Sequence, residues 1–322
     1  MKFRTEIEIP KSSAKIGYST KLLSLGSCFA QLIGTKLDEV KFCVRVNPVG
    51  VLFNPCSIAS AMCRFEQCKL VDKSELQYGN GRWFHFDFHG SLSDVDPLVA
   101  LAKMNKAVEE GHAALKQADT IIITLGTAWV YELVDDGHVV ANCHKESAQR
   151  FVRRALDVHQ VVAQLSPIVE RYRDKQFIFS LSPIRHLKDG LAENSLSKAT
   201  LRVAISQIVA RYTNAHYFPS YEILIDDLRD YRFYADDMLH PSAKAVDYVW
   251  SKFCEAHISQ EAASIMERVA AIVRAASHSP IDVASSAHQR FCQQQLDLIK
   301  NLPEIDFDKE NSYFMSQLRN NL

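Results

Sequence analysis

Short apolar runs alternate with stretches whose apolar residues recur at helical spacing, and this alternation restricts the fold more than any other feature. The runs span residues 21–25, 42–46, 120–125 and 176–181, with a weaker one at 216–218. Helical patterns lie near 28–40, 57–65, 95–117, 148–172 and 195–212, and another follows at 242–257. Strands joined through helices pair in parallel, and a parallel sheet is covered on both faces. Such sheets bind ligands beyond the carboxyl ends of their strands. Gly26-Ser27, Gly126-Thr127 and Ser182-Pro183 all fall at those ends.

Two insertions interrupt the alternation. The first, about 47–90, contains Asn47-Pro48-Val49-Gly50 and Asn54-Pro55 and ends in Trp83-Phe84-His85-Phe86-Asp87-Phe88-His89-Gly90. The second, about 129–142, reads as a hairpin turning at Asp135-Asp136-Gly137. Residues 1–258 are expected to form one α/β domain. Residues 259–322 form a helical extension, with a break at 277–280.

With 47% hydrophobic residues and a net charge of -1, the chain is an ordinary globular sequence with no global field that would draw nucleic acid. The first ten residues lack the apolar core of an export signal, and no stretch is long enough to cross a bilayer. None of the 8 cysteines forms a Cys-x-x-Cys pair, so reduced thiols and a cytoplasmic location are expected. No phosphate loop or dinucleotide fingerprint occurs, so no cofactor is expected.

Ser27 sits where the first strand gives way to a helix, beside backbone N–H groups that a helix start leaves unpaired. Its hydroxyl can cap that helix or act as a nucleophile. Asp237-Met238-Leu239-His240-Pro241 supplies the partners a serine needs: an imidazole to accept its proton and a carboxylate to orient that imidazole. Cys28 is the competing nucleophile, but the turn presents Ser27 and directs the next side chain elsewhere.

With these residues the sequence resembles the GSCFA family, whose name is spelled by Gly26-Ser27-Cys28-Phe29-Ala30, within the SGNH/GDSL hydrolase superfamily. The resemblance spans about 20–255. It includes Asn47-Pro48-Val49-Gly50-Val51-Leu52-Phe53-Asn54-Pro55, Thr124-Leu125-Gly126-Thr127-Ala128-Trp129, Ser182-Pro183-Ile184-Arg185-His186, Tyr217-Phe218-Pro219-Ser220-Tyr221-Glu222 and Leu228-Arg229-Asp230-Tyr231-Arg232-Phe233-Tyr234. It implies a flavodoxin-like three-layer α/β/α sandwich and ester hydrolysis, with Ser27 as nucleophile, His240 as base and Asp237 as its orienting acid. The superfamily also supplies oxyanion donors from a glycine N–H and from the asparagine of a Gly-x-Asn motif. Here the matching segment is Gly126-Thr127-Ala128, without an asparagine. Gly50 or Gly90 can take the glycine role. Thr127, Asn142 or His89 can replace the asparagine, and the Ser27 N–H is a further donor.

Other polar groups have dual readings. Arg185 after the fourth strand can hold a substrate carboxylate or phosphate, or pair with an acid such as Asp189. His85 and His89 have metal-like spacing on a helix, but a strand over 83–88 holds them about 13 Å apart, so no metal site is expected. Asn142-Cys143-His144-Lys145 can reach the pocket from the second insertion. Arg229-Asp230-Tyr231-Arg232 reads as a buried ion-pair network bracing the Asp/His loop. The expected activity is deacylation of a small-molecule or glycan acyl ester, without nucleic-acid or membrane partners and with the oligomeric state open. Acyl transfer to another alcohol and ligand binding without catalysis are the alternatives.

Overall fold

A computed structural model describes residues 4–10, 12, 15–277, 280, 282–283 and 285–319. The first three residues of the amino-terminal pattern and positions 278–279 of the expected break lie outside the described residues. In chain order the elements are β1 (Leu22–Gly26), α1 (Cys28–Glu39), β2 (Val44–Val46), α2 (Pro55–Gln67), β3 (Gln77–Gly79), β4 (Arg82–Phe84), α3 (Pro97–Gln117), β5 (Thr120–Leu125), β6 (Trp129–Leu133), β7 (Val139–Val140), β8 (Phe151–Ala155), α4 (Val158–Arg171), β9 (Gln176–Leu181), α5 (Gly190–Arg211) and β10 (Ala215–Phe218). A single turn, α6 (Ser220–Glu222), runs into a wider turn at Ile223–Leu228. Helices α7 (Ala243–His257), α8 (Gln260–Ala276), α9 (Ser286–Lys300) and α10 (Asp308–Arg319) complete the chain.

The central sheet has the order β10-β9-β5-β1-β2 and is parallel throughout. Counting only its own strands, this is the flavodoxin-like order 2-1-3-4-5, whose direction reverses between β1 and β5. Strand alternation builds two cores. Leu23, Leu25, Ile121, Ile123, Phe177 and Phe179 face α2, α3, α4 and α5. Leu22, Ile122 and Ile178 face Phe29, Ile33 and Leu37 of α1 and Val249 and Phe253 of α7. Every residue of β5 is buried, as its Thr-Ile-Ile-Ile-Thr-Leu sequence requires of a central strand. The three-layer α/β architecture expected from the alternation is therefore present.

Two local readings are corrected. The pattern at 148–172 is not one helix. Phe151–Ala155 pairs antiparallel with β6, extending the β6–β7 hairpin to a three-stranded sheet, and Asp157 then caps α4 through a reciprocal bond pair with Gln160. The strand at 83–88 stops at Phe84; residues 85–89 turn, with the Phe88 N–H bonding the His85 carbonyl. The first insertion also builds the interior: Ile58, Ala61, Met62 and Phe65 of α2 fill the main core.

Helices α8, α9 and α10 share a core of Val269, Ile272, Cys292, Leu296, Phe307 and Phe314. Lys41 reaches Glu310 at 2.7 Å, tying this unit to the end of α1. Among the described residues, no helix is long and apolar enough to cross a membrane.

Candidate active site

Ser27 lies at the switch point of the sheet. Gly26 adopts φ +140°, and a Cβ there would stand 2.2 Å from the Thr124 carbonyl oxygen, so only glycine fits. That contact lets the Ser27 N–H donate to Thr124 O at 3.1 Å, while the Asn47 side chain accepts from the Gly26 N–H at 2.9 Å. Ser27 is 2% exposed, and its Oγ accepts from the Phe29 N–H at 3.3 Å as the N-cap of α1. The hydroxyl proton remains for a base, since capping uses only an oxygen lone pair. Burial pushes the neighbouring Cys28 thiol up, away from the reactive thiolate form.

Asp237 and His240 meet on the loop before α7. The Asp237 carboxylate lies 2.6 Å from His240 Nδ1 and accepts the backbone N–H groups of His240 and Leu239, each at 2.9 Å. These bonds hold its pKa at about 2, led by the two backbone donors. With the Nδ1 proton directed at Asp237, Nε2 is left as the basic nitrogen, and it has no partner among the described residues. The loop is tied to the segment after β9 by the Arg185 N–H on Leu239 O at 3.2 Å, and closes on itself where Tyr234 bridges Pro241 and the Ala235 N–H bonds His240 O.

His186 follows Arg185, with its ring near the Gly126 carbonyl and close enough to His240 to sense it. Gly126 in turn packs on Ser27, a built Cβ standing 3.3 Å from Ser27 Cβ. Burial first, then Lys198 and His240, lower His186 to about 4, so it is neutral, and its Nε2 is buried without a partner among the described residues. Lys198, 1% exposed on α5, lies beneath: its Nζ donates to Gly126 O at 2.6 Å and Ser182 O at 2.7 Å, clamping the ends of β5 and β9. It has no acidic partner among the described residues, and burial lowers it to about 7.

The expected oxyanion donors separate into two groups. The N–H groups of Ser27, Gly50, Gly126 and Thr127 are all engaged: Ser27 with Thr124 O, Gly50 with Asn47 O, and both Gly126 and Thr127 with Phe53 O. Thr127 Oγ1 contacts Ser197 Oγ at 3.1 Å and accepts the Trp129 N–H. These four N–H groups are committed to backbone carbonyls and are corrected as donors, while the Thr127 hydroxyl faces Ser197 of α5. Gly90, His89 and Asn142 come together instead. A Cβ on Gly90 would stand 3.8 Å from Asn142 Nδ2, and a Cβ on Gly50 (φ +85°) would collide with His89 Cβ at 2.2 Å. Asn142 Oδ1 accepts the His144 N–H, leaving the amide N–H groups unassigned, and the Gly90 N–H has no acceptor among the described residues. His89 Nδ1 accepts from Ser91 N–H, which puts its proton on Nε2, and burial lowers its pKa.

Arg185 does not pair with Asp189, whose carboxylate is taken by Arg153. The segment Arg229-Asp230-Tyr231-Arg232 is exposed rather than a buried network; Arg232 and Asp230 approach to 3.8 Å with most of each side chain in solvent. His144 stacks on Phe84 at 4.2 Å, and its Nε2 lies against the carbonyls of His85 and Phe88, so it holds the insertion together. Among the described residues no group of three or more His, Cys, Asp or Glu side chains could hold a metal ion. Sequence reasoning missed Lys198. The signal was there: Asn194, Ser197, Lys198, Leu201, Ile205 and Ile208 recur at helical spacing and are all buried, so the lysine continues the apolar stripe of α5.

No curated protein and no solved structure matches the chain. A model described as GSCFA domain protein, C-terminal domain, matches residues 269–320, the span of the carboxyl-terminal helices. The model described as the GSCFA family matches residues 21–253, which hold every element from β1 through nearly all of α7, and the chain therefore belongs to the GSCFA family.

Proposed function

We propose that this protein is a serine ester hydrolase of the SGNH/GDSL type. The observation that carries the reading is the Asp237–His240 pair: a carboxylate fixed by two backbone N–H groups takes Nδ1, leaving Nε2 as the basic nitrogen on a loop bonded to the segment that follows β9. His240 Nε2 accepts the Ser27 hydroxyl proton as Oγ attacks the ester carbonyl. The resulting oxyanion is met by the Gly90 N–H and the Asn142 amide, with His89 Nε2–H beside them. His240 then returns the proton to the departing alcohol. Water, deprotonated by the same imidazole, releases the acid and regenerates Ser27. The substrate is an acyl ester of a small molecule or glycan; the donors are supplied by the two insertions in place of a Gly-x-Asn asparagine.

A second reading, ligand binding without catalysis, draws on Ser27 being almost completely buried and already serving as a helix cap. Labelling with a fluorophosphonate separates the two. A hydrolase is labelled at Ser27, loses the label in Ser27→Ala without unfolding, and loses short-chain 4-nitrophenyl ester turnover in the same variant. Absence of labelling in the folded wild-type protein overturns the hydrolase reading. Alcohol acceptors added to the assay report acyl transfer as new ester product rather than free acid.

A further inference from the structure

We infer that Arg185 forms an anion subsite beside His240, so that the substrate is an acyl ester carrying a carboxylate or phosphate group. The inference rests on the hydrolase reading for the word ester and on the geometry of Arg185 for the anion. The guanidinium lies 4.1 Å from the ring centroid of Tyr234 and 5.3 Å from that of Tyr231, so it rests against both tyrosine rings. The five donors of a guanidinium radiate in its plane; one meets the Tyr234 hydroxyl, and the others are left for a planar or tetrahedral oxyanion. No carboxylate lies within ion-pair distance of Arg185 among the described residues.

The surrounding acids are committed elsewhere. Asp189 belongs to Arg153, Glu222 to Arg202, and Asp237 to His240. Asp236, on the same loop, is exposed and makes no ion pair among the described residues. A cation without an acidic partner among the described residues, just past the end of β9, leaves local positive charge in a chain whose net charge is -1. An anionic group on the substrate would balance it.

The Arg185 head group is also placed with respect to the reacting atoms. Its own N–H bonds Leu239 O, one residue before His240, and Tyr234 bridges Pro241, one residue after. The arginine and its tyrosines therefore move with the imidazole, so an anion bound there has a fixed position relative to the base.

Two matched ester pairs test this. One puts the charge on the acyl side, 4-nitrophenyl hemiadipate against 4-nitrophenyl hexanoate. The other puts it on the leaving side, 4-acetoxybenzoate against 4-acetoxybenzamide. In at least one pair kcat/KM should favour the anion by about tenfold or more, the size of a charge-assisted hydrogen-bond pair. Arg185→Gln should erase that ratio, and Arg185→Lys should keep part of it. Ratios near one in both pairs, or a ratio that survives Arg185→Gln, overturn the subsite. Calorimetry with succinate and with inorganic phosphate, on Ser27→Ala and on Ser27→Ala/Arg185→Gln, decides the matter without turnover and tells carboxylate from phosphate. Binding lost with Arg185 supports the subsite even if fluorophosphonate labelling fails. Binding that is absent, or equal in both proteins, overturns it.

Discussion

The two halves of the candidate site are held by different means. Ser27 is 2% exposed and fixed from all sides by backbone: Gly26 against Thr124, the Ser27 N–H on Thr124 O, and Gly126 packed on its Cβ. The side chains of Asp237 and His240 are each 46% exposed, on a loop where Met238 takes φ +59° and stands largely in solvent. The nucleophile inherits its position from the sheet, whereas the base inherits its position from a carboxylate. A buried partner is insensitive to single side-chain changes around it, and a loop partner depends on the few bonds that orient it.

The sharpest way to break this contrast is on the loop. Asp237→Asn keeps the size of the side chain but removes the charge that selects the Nδ1–H tautomer, so kcat should fall by about 10³–10⁴ while Ser27 stays in place. The fold should hold, since the sheet does not depend on this loop, and far-ultraviolet dichroism checks that. An activity within tenfold of wild type would show that the loop does not carry the base. The pH dependence follows from the depressed carboxyl. A group held at about 2 contributes its ion pair above the ordinary carboxylate range and loses it only as the pH falls toward 2. Any acid limb of the wild-type rate above pH 3 must therefore come from a group other than Asp237.

The next largest effect separates the donors that are engaged from those that are open. Asn142→Ala should lower kcat by about 10²–10³ with little change in KM, the usual cost of one oxyanion donor. Thr127→Ala should cost no more than a few-fold, because its hydroxyl faces Ser197 and the Trp129 N–H rather than the cleft. Steady-state kinetics on one ester reads both. The reverse order would place the oxyanion at the end of β5 and not between the two insertions.

Much of this was legible before any coordinate. The parallel sheet followed from runs such as Thr120-Ile121-Ile122-Ile123, and the Asp/His contact followed from three-residue spacing, because both are local patterns. What was not legible depends on long-range closure. Whether the N–H groups of Gly50 and Gly126 were open could not be read from glycine itself. It depended on the carbonyls of Asn47 and Phe53 arriving at the same place. The 148–172 pattern misled for a related reason. Phe151-Val152-Arg153-Arg154-Ala155 can be written on a helix, and only the free edge of β6 makes it a strand. Lys198 was readable as a lysine in line with the apolar stripe of α5, but its acceptors, Gly126 O and Ser182 O, come from two different strand ends.

Lys198 gives the smallest net effect and the finest probe of the buried half. Desolvation lowers it from an ordinary 10.5 to about 7, so the unfolded chain binds more protons than the folded one between those values. Stability must then rise with pH across that window, with the full penalty present below pH 7 and gone above 10.5. A neutral amine still has two N–H groups for its two carbonyl acceptors, so deprotonation costs no hydrogen bond. Lys198→Met removes the titration but strands Gly126 O and Ser182 O, at about 1–3 kcal/mol for each buried polar group. At pH 7 these terms oppose each other and the net change is small. The slope is not, and chemical denaturation from pH 6 to 10 should show the wild-type rise flattened in Lys198→Met. If the two proteins keep parallel slopes, Lys198 carries no suppressed charge in the folded state. The clamp on β5 and β9 would then be an ordinary protonated lysine, and the rigidity of the Ser27 side would rest on its backbone hydrogen bonds alone.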